Sequence, residues 1–174
     1  MNQLQAEGQM ATLPSIVGKM AQAIEHQLST GDLAELRRIS PEEPYTSALW
    51  KMLLEYVPES WVGGAKRDEK ESQWAALLMG MSMTGGMHRF DIPIGQALAE
   101  AGWSELRFVR LLRSRSKRLF EEVRRIARYL SSKSQKANWA DIAQLLLNQD
   151  GEWAEKHRRR IARDYYRQLN RQKD

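Results

Sequence analysis

The sequence predicts an all-α fold, a helical bundle of about eight or nine helices, either as one unit or as two small helical lobes. Three observations predict it. Apolar residues recur at steps of three and four along almost the whole chain. No stretch alternates with the period of two that a half-buried strand would show. Capping residues, prolines and glycines punctuate the chain at helical intervals.

Taken in order, a first helix follows Thr12 and Pro14, with Ile16, Met20, Ile24 and Leu28 inward, and stops at Gly31. Asp32 is expected to cap a short helix carrying Leu33, Leu36 and Ile39, which Pro41 and Pro44 end. Leu49, Trp50, Leu53, Leu54 and Val57 form the inner face of the next, closed by Pro58. Residues 61–72, rich in glycine and mixed charge, read as an exposed, mobile loop. A helix around 72–83 offers Trp74, Leu77, Leu78 and Met81 to the core. Gly85 and Gly86 then interrupt, so that 84–91 is the expected boundary between an N-terminal lobe, 1–83, and a C-terminal lobe, 91–174.

Asp91 is expected to cap a helix with Pro93 in its first turn and Ile94, Leu98 and Ala101 inward, ending at Gly102. Ser104 caps the next, with Leu106, Val109 and Leu112 as its apolar side. Leu119, Val123, Ile126 and Leu130 define another. Asn138 caps one bearing Ile142, Leu145 and Leu146, and the last helix runs over about 152–169.

The 174 residues suffice for one sizeable core and are too few for a large multidomain enzyme. No cysteine is present, which excludes disulfides, thiolate metal sites and cysteine nucleophiles. Residues 1–10 are polar and lack a basic start or apolar run, so no secretory signal is expected. No apolar run reaches the roughly 20 residues of a membrane helix. The expectation is a soluble, cytoplasmic protein.

No catalytic residue, metal ligand, cofactor or small-molecule substrate is expected. His26, His88 and His157 are far apart and none has a second ligand at metal spacing. Residues 80–86 lack the lysine and hydroxyl residue of a phosphate loop. Asp68, Glu69 and Glu71 alternate with Lys66, Arg67 and Lys70 as solvated charge.

Charge is the informative feature. Residues 1–90 carry 8 Lys+Arg against 11 Asp+Glu, whereas residues 91–174 carry 19 against 11. Clustered cations focus potential, which points to a polyanionic partner, with nucleic acid foremost. Arg107, Arg110, Arg113 and Lys117 line up as one cationic ridge at helical spacing. Lys156, Arg160, Arg163, Arg167 and Arg171 form a second, and the two ridges are expected to frame one groove. Arg118 with Glu122 and Arg125 with Glu121 are spaced to pair along one helix, which leaves these two arginines as either an ion-paired face or a binding face. Arg37 and Arg38 form an isolated basic doublet in the acidic half. Arginine outnumbers lysine among the cations of the second half, which suits bidentate phosphate contact, and no base-reading motif accompanies it.

Five segments, GDLAELRRIS (31–40), PIGQALAEAGWSELRFVRLLR (93–113), EEVRRIARYL (121–130), NWADIAQLLL (138–147) and HRRRIARDYY (157–166), appear in an order that resembles the CasB family, the small subunit of the type I-E CRISPR Cascade complex. The resemblance spans about 31–169. It implies a non-enzymatic, all-helical subunit present as two copies stacked head to tail. Its implied partners are the backbone and large subunits of Cascade, guide RNA and target DNA, with target DNA and displaced strand supported in the R-loop. Carried over by position, the family's basic contacts fall on Arg37, Arg38, Arg113, Arg124, Arg125, Arg158, Arg159 and Arg160. Together with Arg107, Arg110 and Arg163 from the ridges these are the candidate nucleic-acid-binding residues, and the two routes agree at Arg113 and Arg160. The competing readings are a stand-alone helical DNA- or RNA-binding regulator, a protein interaction module and, last, an enzyme.

Overall fold

A computed structural model describes residues 11–174; the expectation that residues 1–10 hold no secretory signal lies outside them. Ten α-helices and no named strand make up the described residues. The all-α expectation holds, with one short helix more than expected.

Helix α1 (Leu13–His26) opens with a reciprocal cap between Thr12 and Ser15 and buries Ile16, Val17, Met20, Ala23 and Ile24. It ends at His26 rather than at Gly31. Helix α2 (Thr30–Arg37) is capped by Ser29, whose hydroxyl accepts from the Asp32 N–H at 3.0 Å. Asp32 therefore sits in the first turn instead of capping it, where its charge still favours the helix N-terminus. Helix α3 (Ser47–Tyr56) buries Ala48, Leu49, Met52 and Leu53, while Trp50 and Leu54, expected inward, face solvent.

The stretch expected to be a mobile loop is mostly helical. It takes in the end of α4 (Glu59–Val62) and the first turns of α5 (Arg67–Thr84). Its mixed charges are the outer side of a helix start, and Glu71, read as solvated, is buried. From Trp74 to Ser82 every residue of α5 is buried, so this helix is the spine of the bundle, with α8, α9, α2 and α1 packed around it. Gly80 permits the closest approach: a Cβ there would lie 2.7 Å from the Trp139 ring.

Helix α6 (Ile94–Glu100) follows Pro93. Asp91 does not cap it, because its carboxylate is held by Arg89, and the Ile94 N–H donates instead to the Asp141 carboxylate at 3.0 Å. Helix α7 (Glu105–Arg113) buries Phe108 and Leu111, with Leu112 packed against the core at its side, while Leu106, expected inward, faces solvent and Val109 stays half-buried. Apolar residues cover more than half of this helix, and the largest decides its phase: Phe108 stacks on Tyr165 at 3.8 Å between ring centroids. Helices α8 (Ser116–Ser132) and α9 (Trp139–Leu147) bury the stripes read from sequence, and Asn138 caps α9 through Ala140 N–H. Helix α10 (Glu152–Lys173) lies against α6, where Gly95 replaces any side chain; a Cβ there would fall 2.2 Å from the Ile161 carbonyl. One apolar cluster runs from Ile16 to Tyr165.

Residues 84–91, the expected lobe boundary, are pinned to the segment before α9. Ala137 N–H donates to the Met87 carbonyl at 3.1 Å, and Arg89 N–H donates to the Ala137 carbonyl at 3.0 Å. No helix among the described residues is long and apolar enough to cross a membrane.

Candidate nucleic-acid interface

Helix α8 buries Leu119, Val123, Ile126, Ala127 and Leu130 and docks on α5, which turns most of its charged residues outward. The two edges of that outer side meet different neighbours. On one edge the Arg124 guanidinium donates to the carbonyls of Arg37 and Ile39, and Lys117 pairs with Glu42. Arg124 thereby satisfies the free carbonyls at the end of α2 and fixes that end beside α8. Burial first, and the neighbouring Arg128 second, push the Arg124 guanidinium below its ordinary pKa. Arg37 donates from Nε to the Ser82 carbonyl at 3.0 Å, and the exposed Arg38 follows it.

On the other edge lies Glu122, only 3% exposed. Its Oε1 forms an ion pair with Arg110 Nε at 2.9 Å across from α7 and accepts a hydrogen bond from Arg125 on its own helix. Its Oε2 has no hydrogen-bond partner among the described residues. One carboxylate therefore ties α7 to α8 and holds two guanidiniums at the floor of a cleft, each with further N–H donors free to point outward. The cleft has a volume of about 540 Å³ and is lined by Arg110, Arg113, Arg118, Glu121 and Arg125 along with apolar Leu106. A second hollow of about 440 Å³ shares Arg110 and Arg125 and extends over Trp103, Arg107, Arg128 and Tyr129. Arg107 lies 5.2 Å from the Trp103 ring centre, and the Tyr129 hydroxyl donates to the Ala101 carbonyl at 2.7 Å. From Arg37 through Arg128 to Arg113, the outer side of α8 and its two flanks form one cationic face.

The two ridges read from sequence do not frame one groove. They lie on opposite flanks of α10. Tyr165 and Tyr166 meet Phe108 and Glu105 of α7, whereas Arg160 reaches the other way, to Asp141 of α9. The partner that completes the α7 ridge is α8.

The remaining candidates divide by what holds them. Arg158 is buried and donates to Glu155 at 2.9 Å and to the Gln149 carbonyl; with Arg115 it fastens the α7–α8 junction to the loop before α10. Arg160 donates at 2.8 Å to Asp141 Oδ1 and at 3.1 Å to His157 Nδ1. Since that nitrogen accepts, His157 carries its proton on Nε2, which donates to the Asp141 carbonyl at 2.9 Å. Burial, the largest influence, holds the His157 imidazole below its ordinary pKa. Arg159 and Arg163 are exposed and form no ion pair with described residues. Arg125 pairs with Glu122 rather than with Glu121, and Arg118 has no ion pair among the described residues.

Sequence reasoning missed Arg128 and Glu122. Arg128 was findable, because Arg118, Arg125 and Arg128 advance by seven and three and so share one side of a helix. Glu122 was not, because an acid at the bottom of a basic cleft depends on which helix packs beside it. Among the described residues no three His, Asp or Glu side chains gather as a metal site would require. His88 is fixed structurally, its Nδ1 accepting from the Trp139 N–H at 3.1 Å.

Fold and surface together define a helical protein that presents an arginine-lined face organised by a buried carboxylate. The sequence profile of the family described as CRISPR-associated protein Cse2 matches residues 32–166. The chain belongs to the Cse2 family, in keeping with the resemblance carried by its five segments. Among solved structures it is similar to a chain of E. coli Cascade bound to a PAM-containing dsDNA target, at 20% identity and a TM-score of 0.68 over 88% of this chain and 96% of that one. It is also similar to CasB from Thermobifida fusca, at 15% identity and a TM-score of 0.67 over 91% and 99%. At such identities the likeness is one of fold. No curated protein matches the sequence.

Proposed function

We propose that this protein is the non-catalytic small subunit of a type I-E Cascade complex in the cytoplasm, and that it holds nucleic-acid backbone to stabilise target DNA and the displaced strand in the R-loop. The observation that carries this reading is the continuous cationic face of α8, flanked by Arg37 and Arg38 on one side and by Arg107, Arg110 and Arg113 on the other. The membership of the Cse2 family and the fold shared with a chain of DNA-bound E. coli Cascade support it. The partners in this reading are the other Cascade subunits, a second copy stacked head to tail, guide RNA and target DNA. We read the chain as a single unit in which residues 91–174 supply most of the binding surface.

The physical logic is that guide pairing supplies the sequence specificity. Strand exchange in an R-loop is nearly balanced in free energy, so a few sequence-independent phosphate contacts are enough to shift it. Arginine forks suit that task because they engage phosphate oxygens two at a time without reading bases.

The test is to reverse charge at Arg118 and Arg128 together (R118E/R128E), and separately at Arg160 (R160E). Arg118 and Arg128 have no ion pair to lose among the described residues. The double variant should keep its stability within about 0.5 kcal/mol and enter the complex normally. R-loop yield should fall several-fold, with a shallower salt dependence than wild type, as expected when phosphate contacts are lost. Arg160→Glu instead sets a carboxylate against Asp141, and should lower stability by about 1–2 kcal/mol after allowing for its half-exposed position. Equal R-loop yields for R118E/R128E and wild type would overturn the proposal. Sequence-selective DNA binding by the isolated chain would favour a stand-alone regulator.

A further inference from the structure

We infer that the outward stripe of α10, headed by Trp153, is a track for single-stranded nucleic acid, separate from the α8 face. Trp153 is 77% exposed, one of the most exposed large apolar side chains among the described residues. From it, Lys156, Arg160, Arg163, Arg167 and Arg171 advance by three, four, three, four and four, so indole and cations share one side of the helix over about 27 Å. That side faces away from α7, because Tyr165 and Tyr166 are the residues that meet Phe108 and Glu105.

The local geometry favours a base over an apolar partner. The Lys156 ammonium lies over one face of the Trp153 ring, 5.1 Å from its centre, and also pairs with Glu152 at 3.3 Å, so a cation is held against the indole. Beyond Arg160, which Asp141 engages, Arg163, Arg167 and Arg171 form no ion pair with described residues. A tryptophan that anchors a protein interface sits in a charge-depleted apolar centre with a polar rim. Here the indole stands at the head of a row of cations, the arrangement in which bases stack on an aromatic ring while the backbone follows the charges. A duplex hides its base faces except at its ends, so an indole on the side of a helix can stack only on an unpaired strand.

This inference does not rest on the α8 reading, and the variants separate the two. The full chain is titrated into a labelled oligothymidine and into a duplex of equal length, as wild type, Trp153→Ala, Trp153→Phe and R118E/R128E. Trp153→Ala should weaken single-strand binding by about tenfold. Its duplex binding and melting temperature should not change, since alanine suits an exposed helical position. Trp153→Phe, which keeps a ring, should recover most of the loss. R118E/R128E should weaken both substrates and leave the Trp153 effect in place. Unchanged single-strand binding in Trp153→Ala, or an equal loss on both substrates, would overturn the inference. Retained single-strand binding with loss of self-association in sedimentation would overturn it in favour of a protein contact.

Discussion

The outer sides of α8 and α10 are both rich in arginine, yet the fold uses them differently. Along α8 the cations lie in a cleft whose second wall is α7, and the buried Glu122 sets two of them in place. Along α10 the cations stand on one convex helix, and two of the candidates are drawn inward, Arg158 to the Gln149 carbonyl and Arg160 to Asp141. Helical spacing therefore says which arginines share a side. It does not say which of them remain available, because that depends on the carbonyls and carboxylates that the neighbouring helices present.

The largest effect should come from unseating one of the two surfaces. Helix α10 is held against α6 at Gly95, where a side chain would collide with the Ile161 carbonyl and the Tyr165 N–H. Those are backbone atoms and cannot turn aside. Gly95→Val should destabilise the protein by about 3 kcal/mol or more and lower its melting temperature by about 10 °C. A fall of only a degree or two in thermal denaturation would show that α10 is loosely seated and that its charged stripe has no fixed direction.

A sharper comparison comes from Glu122, where two explanations differ in sign. Glu122→Gln raises the net charge by one, so if the acid merely dilutes the cationic cleft, DNA should bind more tightly. If it positions Arg110 and Arg125, the loss of its charge lets them swing free, and binding should weaken by about fivefold, as when a preorganised contact must be ordered on binding. The same substitution in an R110A/R125A background should then have no effect. Tighter binding by the single variant, with its melting temperature unchanged, would remove the positioning role and make the cleft a plain charge effect.

How much of this was legible in the sequence depended on how local the cause was. The stripes of α8 and α9 were legible because each has one dominant apolar side, and the Thr12 and Asn138 helix starts because capping acts within three residues; α7 does follow Ser104, but that side chain makes no capping bond. The phase of α7 was not, because Leu106, Phe108, Val109, Leu111 and Leu112 leave more than one possible inner side, and stacking on Tyr165, 57 positions away, makes the choice. Asp91 and Asp141 show the same limit. Asp91 looked like a local cap but is taken by Arg89 two residues before it, and Asp141, in the first turn of α9, serves α6 and α10. At the site, the basic character of the second half was plain: Arg110, Arg113 and Arg125 line one cleft, and Arg107 lines the hollow beside it. That the cleft lies between α7 and α8, and that Arg124 and Arg158 hold backbone carbonyls, follows only from packing.

The smallest expected effect is also specific to the α10 side. His157 lies between α9 and α10, with Asp141, Arg158 and Arg160 as the charged groups around it. Its Nδ1 accepts from Arg160, so protonation would place a proton where a guanidinium already donates, in a buried site next to two cations. Burial first, and the nearby Arg160 and Arg158 guanidiniums after it, hold the folded-state pKa below the ordinary 6.5. The unfolded chain therefore takes up a proton at a pH where the folded one does not. The His157 contribution to stability is full above that ordinary value and declines as the pH falls below it toward the folded-state pKa. His88, half-buried and lowered for the same leading reason, adds in the same direction. Melting curves from pH 8 down to 5 should show wild type losing more stability than His157→Gln, which keeps a donor for the Asp141 carbonyl without titrating. Parallel curves would mean that the imidazole is protonated without penalty, and that the Arg160–His157–Asp141 arrangement loosens readily enough to release Arg160 to the α10 stripe.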